Sequence, residues 1–304
     1  SGGEARIRID KTYKDELSYY TDGNKIIFER SLSIKRNSII LPKGYEVIAC
    51  NYPAQVQLEA DGRLNLSFMN RGPNAVPLRV IAQSLTDKAL AFKPIESKSE
   101  NAGNSRGSGP DRSKARLDYH FSERAFQDRE IVYYLQQPET HSFRLYHDYT
   151  EKRPGVDKYL NVVRAGSKAS DPEAYILDTG EKLKVETLRG EAITAKNIDI
   201  GGSVDAQTEV VVIWFNAVKP GYSTRLRIWE TYTDPNRYLL YNNELIWDRS
   251  FGRNQNTVVL PEGWYPIAND IPATIDQHED GRIQLHYVND RPDNMDVYIK
   301  ARRK

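Results

Sequence analysis

Histidine is the side chain most often recruited for metal binding and for proton transfer near neutral pH, and this sequence carries five: His120, His141, His147, His278 and His286. None stands at a ligand spacing. His141 and His147 fall on one face of an expected strand, but six residues at strand rise separate them by about 20 Å, too far to share one ion. The densest reactive cluster is Tyr146-His147-Asp148-Tyr149-Thr150-Glu151, where an imidazole and a carboxylate lie between two phenols. Neighbouring strand positions face opposite ways, so His147 and Asp148 cannot pair unless a bulge turns one of them. Ser167 lacks the G-x-S-x-G setting that presents a nucleophilic hydroxyl. No catalytic site is expected; His147, Asp148 and Tyr149 stay as candidates for polar recognition.

Glu230 and Asp234 bracket a strand end and could offer oxygen ligands to calcium. A related stretch earlier in the chain has Lys11 and Asp15 at those positions, and lysine removes a ligand while adding positive charge. A turn-capping role for the two aspartates accounts for the shared half of the pattern. The one cysteine, Cys50, excludes an internal disulfide and every multi-cysteine metal site. Neither a cofactor nor a metal is expected.

These groups must be positioned by the elements around them, and the chain repeats itself there. Residues 6 to 83 align with 225 to 302 at a constant offset of 219, without a gap and with about a third of the positions identical. Arg6-Ile7-Arg8-Ile9 answers Arg225-Leu226-Arg227-Ile228, Leu41-Pro42-Lys43-Gly44 answers Leu260-Pro261-Glu262-Gly263, and Asp61-Gly62-Arg63 answers Asp280-Gly281-Arg282. In each copy apolar residues alternate in short runs bounded by turn residues, the pattern of antiparallel strands packed in two layers. In the first copy strands are expected near Arg6 to Tyr13, Lys25 to Leu32, Asn37 to Leu41, Tyr45 to Cys50, Ala54 to Glu59, Arg63 to Phe68 and Val76 to Gln83. Asp-Gly supplies the positive φ of a tight hairpin in both copies.

The expected fold is therefore all-β: tandem antiparallel β-sandwiches with an internal duplication, whose pattern resembles immunoglobulin-like or fibronectin-like modules. The first copy occupies 1–95. Residues 96–114, almost free of apolar side chains, make a flexible linker. A middle sandwich covers 115–219, with an expected strand at Arg116 to Phe121, and the second copy covers 220–304.

Comparing the copies sorts the aromatic residues. Trp247 answers Phe28 and Trp264 answers Tyr45, so both belong to the core or its edge, whereas Trp229 answers Asp10 and should face outwards. With Tyr232, Tyr238 and Tyr241 nearby, Trp229 could stack on a sugar ring or a partner's side chain, or pack against the middle unit. Arg30 and Arg249 each precede a serine between apolar positions, which calls for a carboxylate partner.

Forty-three Lys and Arg against 42 Asp and Glu give a formal charge of +1, so no global field draws in nucleic acid. No apolar run reaches the length of a membrane-spanning helix. Ser1-Gly2-Gly3-Glu4 has neither the basic nor the apolar part of a secretory signal. The sequence expectation is a non-catalytic, extracytoplasmic binding or assembly module whose partner is a protein, another copy in head-to-tail contact, or a carbohydrate. The alternative is a secreted hydrolase of polysaccharide or peptide, its acid and base being carboxylates brought together only by folding.

Overall fold

A computed structural model describes residues 7–85, 129–291 and 293–304. The described residues are nearly all β, 56% of them strand and 3% helix. Among the described residues no helix is long and apolar enough to cross a membrane. The expectations for the linker at 96–114 and the strand at Arg116 to Phe121 lie outside the described residues.

The first unit contains β1 (Tyr19–Asp22), β2 (Lys25–Leu32), β3 (Arg36–Ile40), β4 (Tyr45–Leu58), β5 (Leu64–Met69) and β6 (Val76–Ser84). Alternation decides which faces meet: Leu64, Leu66 and Phe68 of β5 and Leu78, Val80 and Ala82 of β6 are buried, while their neighbours are not. One layer runs β1-β2-β6 and ends on the start of β4; the other pairs the end of β4 with β5, and β5 with β3. The two β4 segments expected separately form a single strand that crosses from one layer to the other.

Next come β7 (Glu130–Leu135), β8 (Ser142–Glu151), β9 (Lys158–Val162), β10 (Lys168–Ile176), β11 (Lys184–Arg189), the short helix α1 (Glu191–Ala195), β12 (Glu209–Trp214) and β13 (Thr224–Thr233). Strands β7-β8-β13-β10 make one antiparallel layer, and β9-β12-β11 a separate sheet. The nearly continuous apolar run of β12, Val210 to Ile213, is wholly buried, as a central strand covered on both sides requires.

The last unit contains β14 (Tyr238–Tyr241), β15 (Glu244–Phe251), β16 (Gln255–Val259), β17 (Trp264–Asn269), β18 (Ala273–Gln277), β19 (Ile283–Val288) and β20 (Met295–Arg303). Each of these bounds lies 219 residues after one in the first unit, except the end of β17 and the start of β18, whose counterparts fall inside the unbroken β4. Polar details recur as well. Buried Asn70 donates to the carbonyls of Leu32 and Asn74 and accepts from Gly72 N; buried Asn289 donates to those of Phe251 and Asp293 and accepts from Arg291 N. The first hairpin turns through Gly23 at φ 60° in one unit and through Asn242 and Asn243 at φ 51° and 61° in the other, residues that tolerate left-handed backbone.

The two related units touch through β4. Ala54 pairs with Ala273, its own counterpart 219 residues on, Cys50 pairs with Ile275, and Gln57 with Ala268. Asn269 fastens this junction by accepting from Val56 N at 2.6 Å and donating to Ala54 O at 3.1 Å. Buried Glu46 is met by Arg302 at 2.6 Å and Lys304 at 3.4 Å.

One expected strand is missing. Residues 7–15, the counterpart of β13, carry no strand, and Ile7 and Ile9 are exposed. The reason is pairing. β13 is held between β8 and β10; the first unit has no such neighbours among the described residues, and an unpaired strand leaves its backbone groups to water.

Candidate functional site

β8 and β13 bring most of the candidate residues to one place and then divide them between two faces. Their register sets Tyr232 opposite Phe143, Glu230 opposite Leu145, Trp229 opposite Tyr146, Ile228 opposite His147, and Arg227 opposite Asp148. Period-two geometry sends the odd members of β8 inwards and the even members outwards.

On the outer face the Trp229 ring lies 6.1 Å from Tyr134, nearly parallel, and 4.8 Å from Tyr146. Guanidinium groups cap the rings: Arg144 at 5.1 Å from Trp229, Arg227 at 4.2 Å from Tyr146 and Arg282 at 5.6 Å from Tyr134. Arg227 also grips Asp148 with two bonds of 2.9 and 3.0 Å, and the Tyr146 hydroxyl donates to Glu130 at 2.6 Å. Burial and the Glu130 carboxylate both push the Tyr146 phenol up. This face satisfies its own charges. Tyr134 and Arg144 escaped the sequence reading, which noticed Tyr146 only as a phenol beside His147 and Arg227 only as part of the repeat, although Arg144-x-Tyr146-x-Asp148 and Arg227-x-Trp229 show the outward alternation once β8 and β13 are known to pair.

On the inner face the Asn161 amide donates to both oxygens of buried Glu230, at 2.8 and 2.6 Å, and to the Tyr232 hydroxyl at 2.9 Å. Burial raises Glu230 to about 7, with Asn161 pulling the other way. His147 is buried too, edge-on to Tyr159 at 5.7 Å, and its Nε2 meets no hydrogen-bond partner. Burial, with Arg253 and Arg129 adding to it, lowers His147 to about 3 and keeps the imidazole neutral. The Tyr149 hydroxyl donates to Glu151 at 2.7 Å; burial works against ionising Glu151, yet the bonds from Arg153 and Tyr149 hold it at about 2. A carboxyl near 7 has the affinity for proton transfer, but Glu230 is 1% exposed and so out of reach of a substrate.

The structure does not gather the tyrosines around Trp229. Tyr232 is buried on the opposite face and stacks on Phe143 at 6.0 Å. Tyr238 is fully buried against Trp247 at 5.7 Å, its hydroxyl bonded to the Gln136 carbonyl. Tyr241 alone is exposed, at the β14–β15 turn. Arg249 finds its carboxylate in Asp234 at 2.8 Å, while Asp280 pairs with Arg282 and His278. Among the described residues no three His, Cys, Asp or Glu side chains converge as a metal site would require.

A second site lies where no single residue pointed. Between the layers of the first unit opens a groove of about 550 Å³, walled by Ile26, Phe28, Ile39, Leu41, Val80 and Ala82 and rimmed by Tyr13, Asp15, Tyr19 and Arg30. In the last unit the same space is filled. There β7 adds in parallel to β16, with Val258 opposite Tyr133. Tyr133 packs on Trp247 and Phe251, each at 5.3 Å, and Phe143 meets Trp247 at 4.8 Å. The consequence is visible in exposure: Ile9 70% against Ile228 0%, Tyr19 51% against Tyr238 0%, Ile40 47% against Val259 0%. The residues that wall the groove are apolar in both copies, but nothing in them says which copy is covered.

No family model and no curated protein matches the sequence. Among solved structures, an M1 zinc metallopeptidase variant bound to L-tryptophan overlaps 57% of the chain at 12% identity and a TM-score of 0.35. A variant of the M1 zinc metallopeptidase from Deinococcus radiodurans overlaps the same share at 10% identity and 0.35. The chain spans 41% of the length of each of these proteins. The collagen adhesin of S. aureus overlaps 91% of this chain and 87% of its own at 11% identity, with a TM-score of 0.24. Overlaps this loose establish no shared topology.

Proposed function

We propose that the chain is a non-catalytic extracytoplasmic module of tandem β-sandwiches, two of them copies of one unit, that binds a protein partner through the open side of its first sandwich. The observation that carries this reading is the contrast between one apolar side buried in the last unit and the same side bare in the first. A contiguous apolar patch left open to water marks an interaction surface. The walls of the groove suit adhesion better than chemistry: Asp15 accepts from the backbone of Leu17 and Ser18, and Glu16 pairs with Lys14 at 3.4 Å, so both rim carboxylates serve the turn. One Cys and two Met leave few oxidisable groups, which suits an oxidising compartment. We place the boundary between the middle and last sandwiches after β13, whose ladders both belong to the middle layer.

Titration of the full chain with anilinonaphthalene sulfonate tests the reading. A single saturable site is expected, weakened at least about tenfold by Tyr19→Lys with Ile40→Lys and unchanged by Tyr241→Lys, since tenfold corresponds to about 1.4 kcal/mol of lost apolar contact. Absence of a saturable site, or equal weakening by Tyr241→Lys, would show that this side is covered in solution and would remove it as a docking surface.

A further inference from the structure

The filled side of the last unit shows what the bare side of the first unit lacks. We propose that the first unit receives a β-hairpin of the β7–β8 kind, presented by a further sandwich unit. Its leading strand adds in parallel to β3, and its aromatic side chains enter the groove. The proposal rests on the binding reading above and names the partner's chemistry.

The register transfers residue by residue. In the last unit Thr257, Val258 and Val259 face Val132, Tyr133 and Tyr134. Their counterparts are Ser38, Ile39 and Ile40, on a strand that pairs only with β5 among the described residues. The free edge of β3 thus offers backbone donors and acceptors to an incoming strand, and the groove beside it offers pockets for alternate side chains, which is how strand addition gains both affinity and specificity.

Charge and size agree. Arg249 lies 4.9 Å above the Phe143 ring that enters the last unit, and Arg30 already lies 5.4 Å above Tyr13 at the rim of the first. The walls differ in one respect. Phe28 stands where the last unit has Trp247, and Leu32 where it has Phe251, so the first groove is roomier and accommodates a side chain larger than Tyr133. The second strand of such a hairpin would run beside Ile7–Tyr13 as β8 runs beside β13, converting that segment into a strand and burying Ile7 and Ile9.

Disulfide trapping reads the register directly. Cys50 does not compete, because it is buried and burial pushes its thiol up to about 11. The full chain carrying Ser38→Cys is mixed, under glutathione redox buffer, with synthetic peptides spanning Arg129–His147 that carry either Val132→Cys or Gln136→Cys. A parallel strand in the transferred register brings the Val132→Cys thiol opposite position 38, and it should form the mixed disulfide at least about tenfold faster than the Gln136→Cys peptide, the gain expected from local concentration. Equal rates, or a faster Gln136→Cys peptide, would overturn the proposal. Saturable dye binding without register preference would defeat this inference and leave the binding reading intact, whereas loss of dye binding would defeat the binding reading itself.

Discussion

Phe143→Ala is expected to lower the unfolding free energy by about 3–5 kcal/mol, the range for truncating a fully buried aromatic residue. Phe143 is wholly buried at the junction of the middle and last units, touching Tyr133, Tyr232, Tyr238 and Trp247, with Arg249 above its ring. Truncation leaves a void that none of these rigid rings can fill by a change of rotamer. It also strips the Arg249 guanidinium of its aromatic cover in a place where desolvation already disfavours the charge. The matched control is Phe28→Ala in the first unit, where the ring is only half-buried against an open groove, and a cost of about 1–2 kcal/mol is expected from the smaller area removed from water. Urea unfolding followed by tryptophan fluorescence measures both. If Phe143→Ala cost no more than Phe28→Ala, the docking of β7 and β8 on the last unit would not be the strong interface described, and the template for the first groove would fall with it.

Glu230→Gln is expected to stabilise the protein at pH 8 and to change little at pH 4. Burial lifts the folded-state carboxyl from its ordinary 4.5 to about 7. Between those values the folded state holds a proton that the unfolded state has released, so stability is present in full below 4.5 and falls as pH rises towards 7. The span corresponds to a penalty of about 3 kcal/mol above neutrality, and a neutral amide of the same shape escapes it. His147 slopes the other way: its folded-state value of about 3 lies below the ordinary 6.5, so its contribution is complete above 6.5 and is lost as pH falls towards 3. Between 4.5 and 6.5 the two slopes oppose one another, and removing Glu230 exposes that of His147. Unfolding curves at pH 4, 6 and 8 should show a gain of about 1–3 kcal/mol confined to the higher values. An equal change at all three, or a loss at pH 8, would mean that the carboxylate is stabilised by its surroundings.

Much of the local structure was legible in the sequence because it depends on neighbours along the chain. Alternating Leu64, Leu66 and Phe68 were enough to give β5 a buried face, and the 219-residue offset placed six of the last unit's seven strands to within a residue or two, missing only β14 with its counterpart β1. The outward direction of Trp229 followed from its counterpart Asp10, since a position that accepts a charge in one copy does not belong to the interior.

What only the tertiary structure decided was which surfaces meet. Residues 7–13 and 226–232 share four of seven residues, yet the second is part of a strand and the first is not, because a strand is completed by hydrogen-bond partners that come from elsewhere. For β13 these are β8 and β10, and nothing in Arg225 to Tyr232 announces them. The same holds for Glu230, whose shifted acidity arises from burial under β9 and the amide of Asn161, 69 residues away. The groove was hidden for a further reason: it is defined by side chains that are missing from it, and a sequence displays only those that are present. Period and turn chemistry act over a few residues, whereas burial, pairing and acidity are set by contacts between distant segments, and those come into being only when the chain has folded.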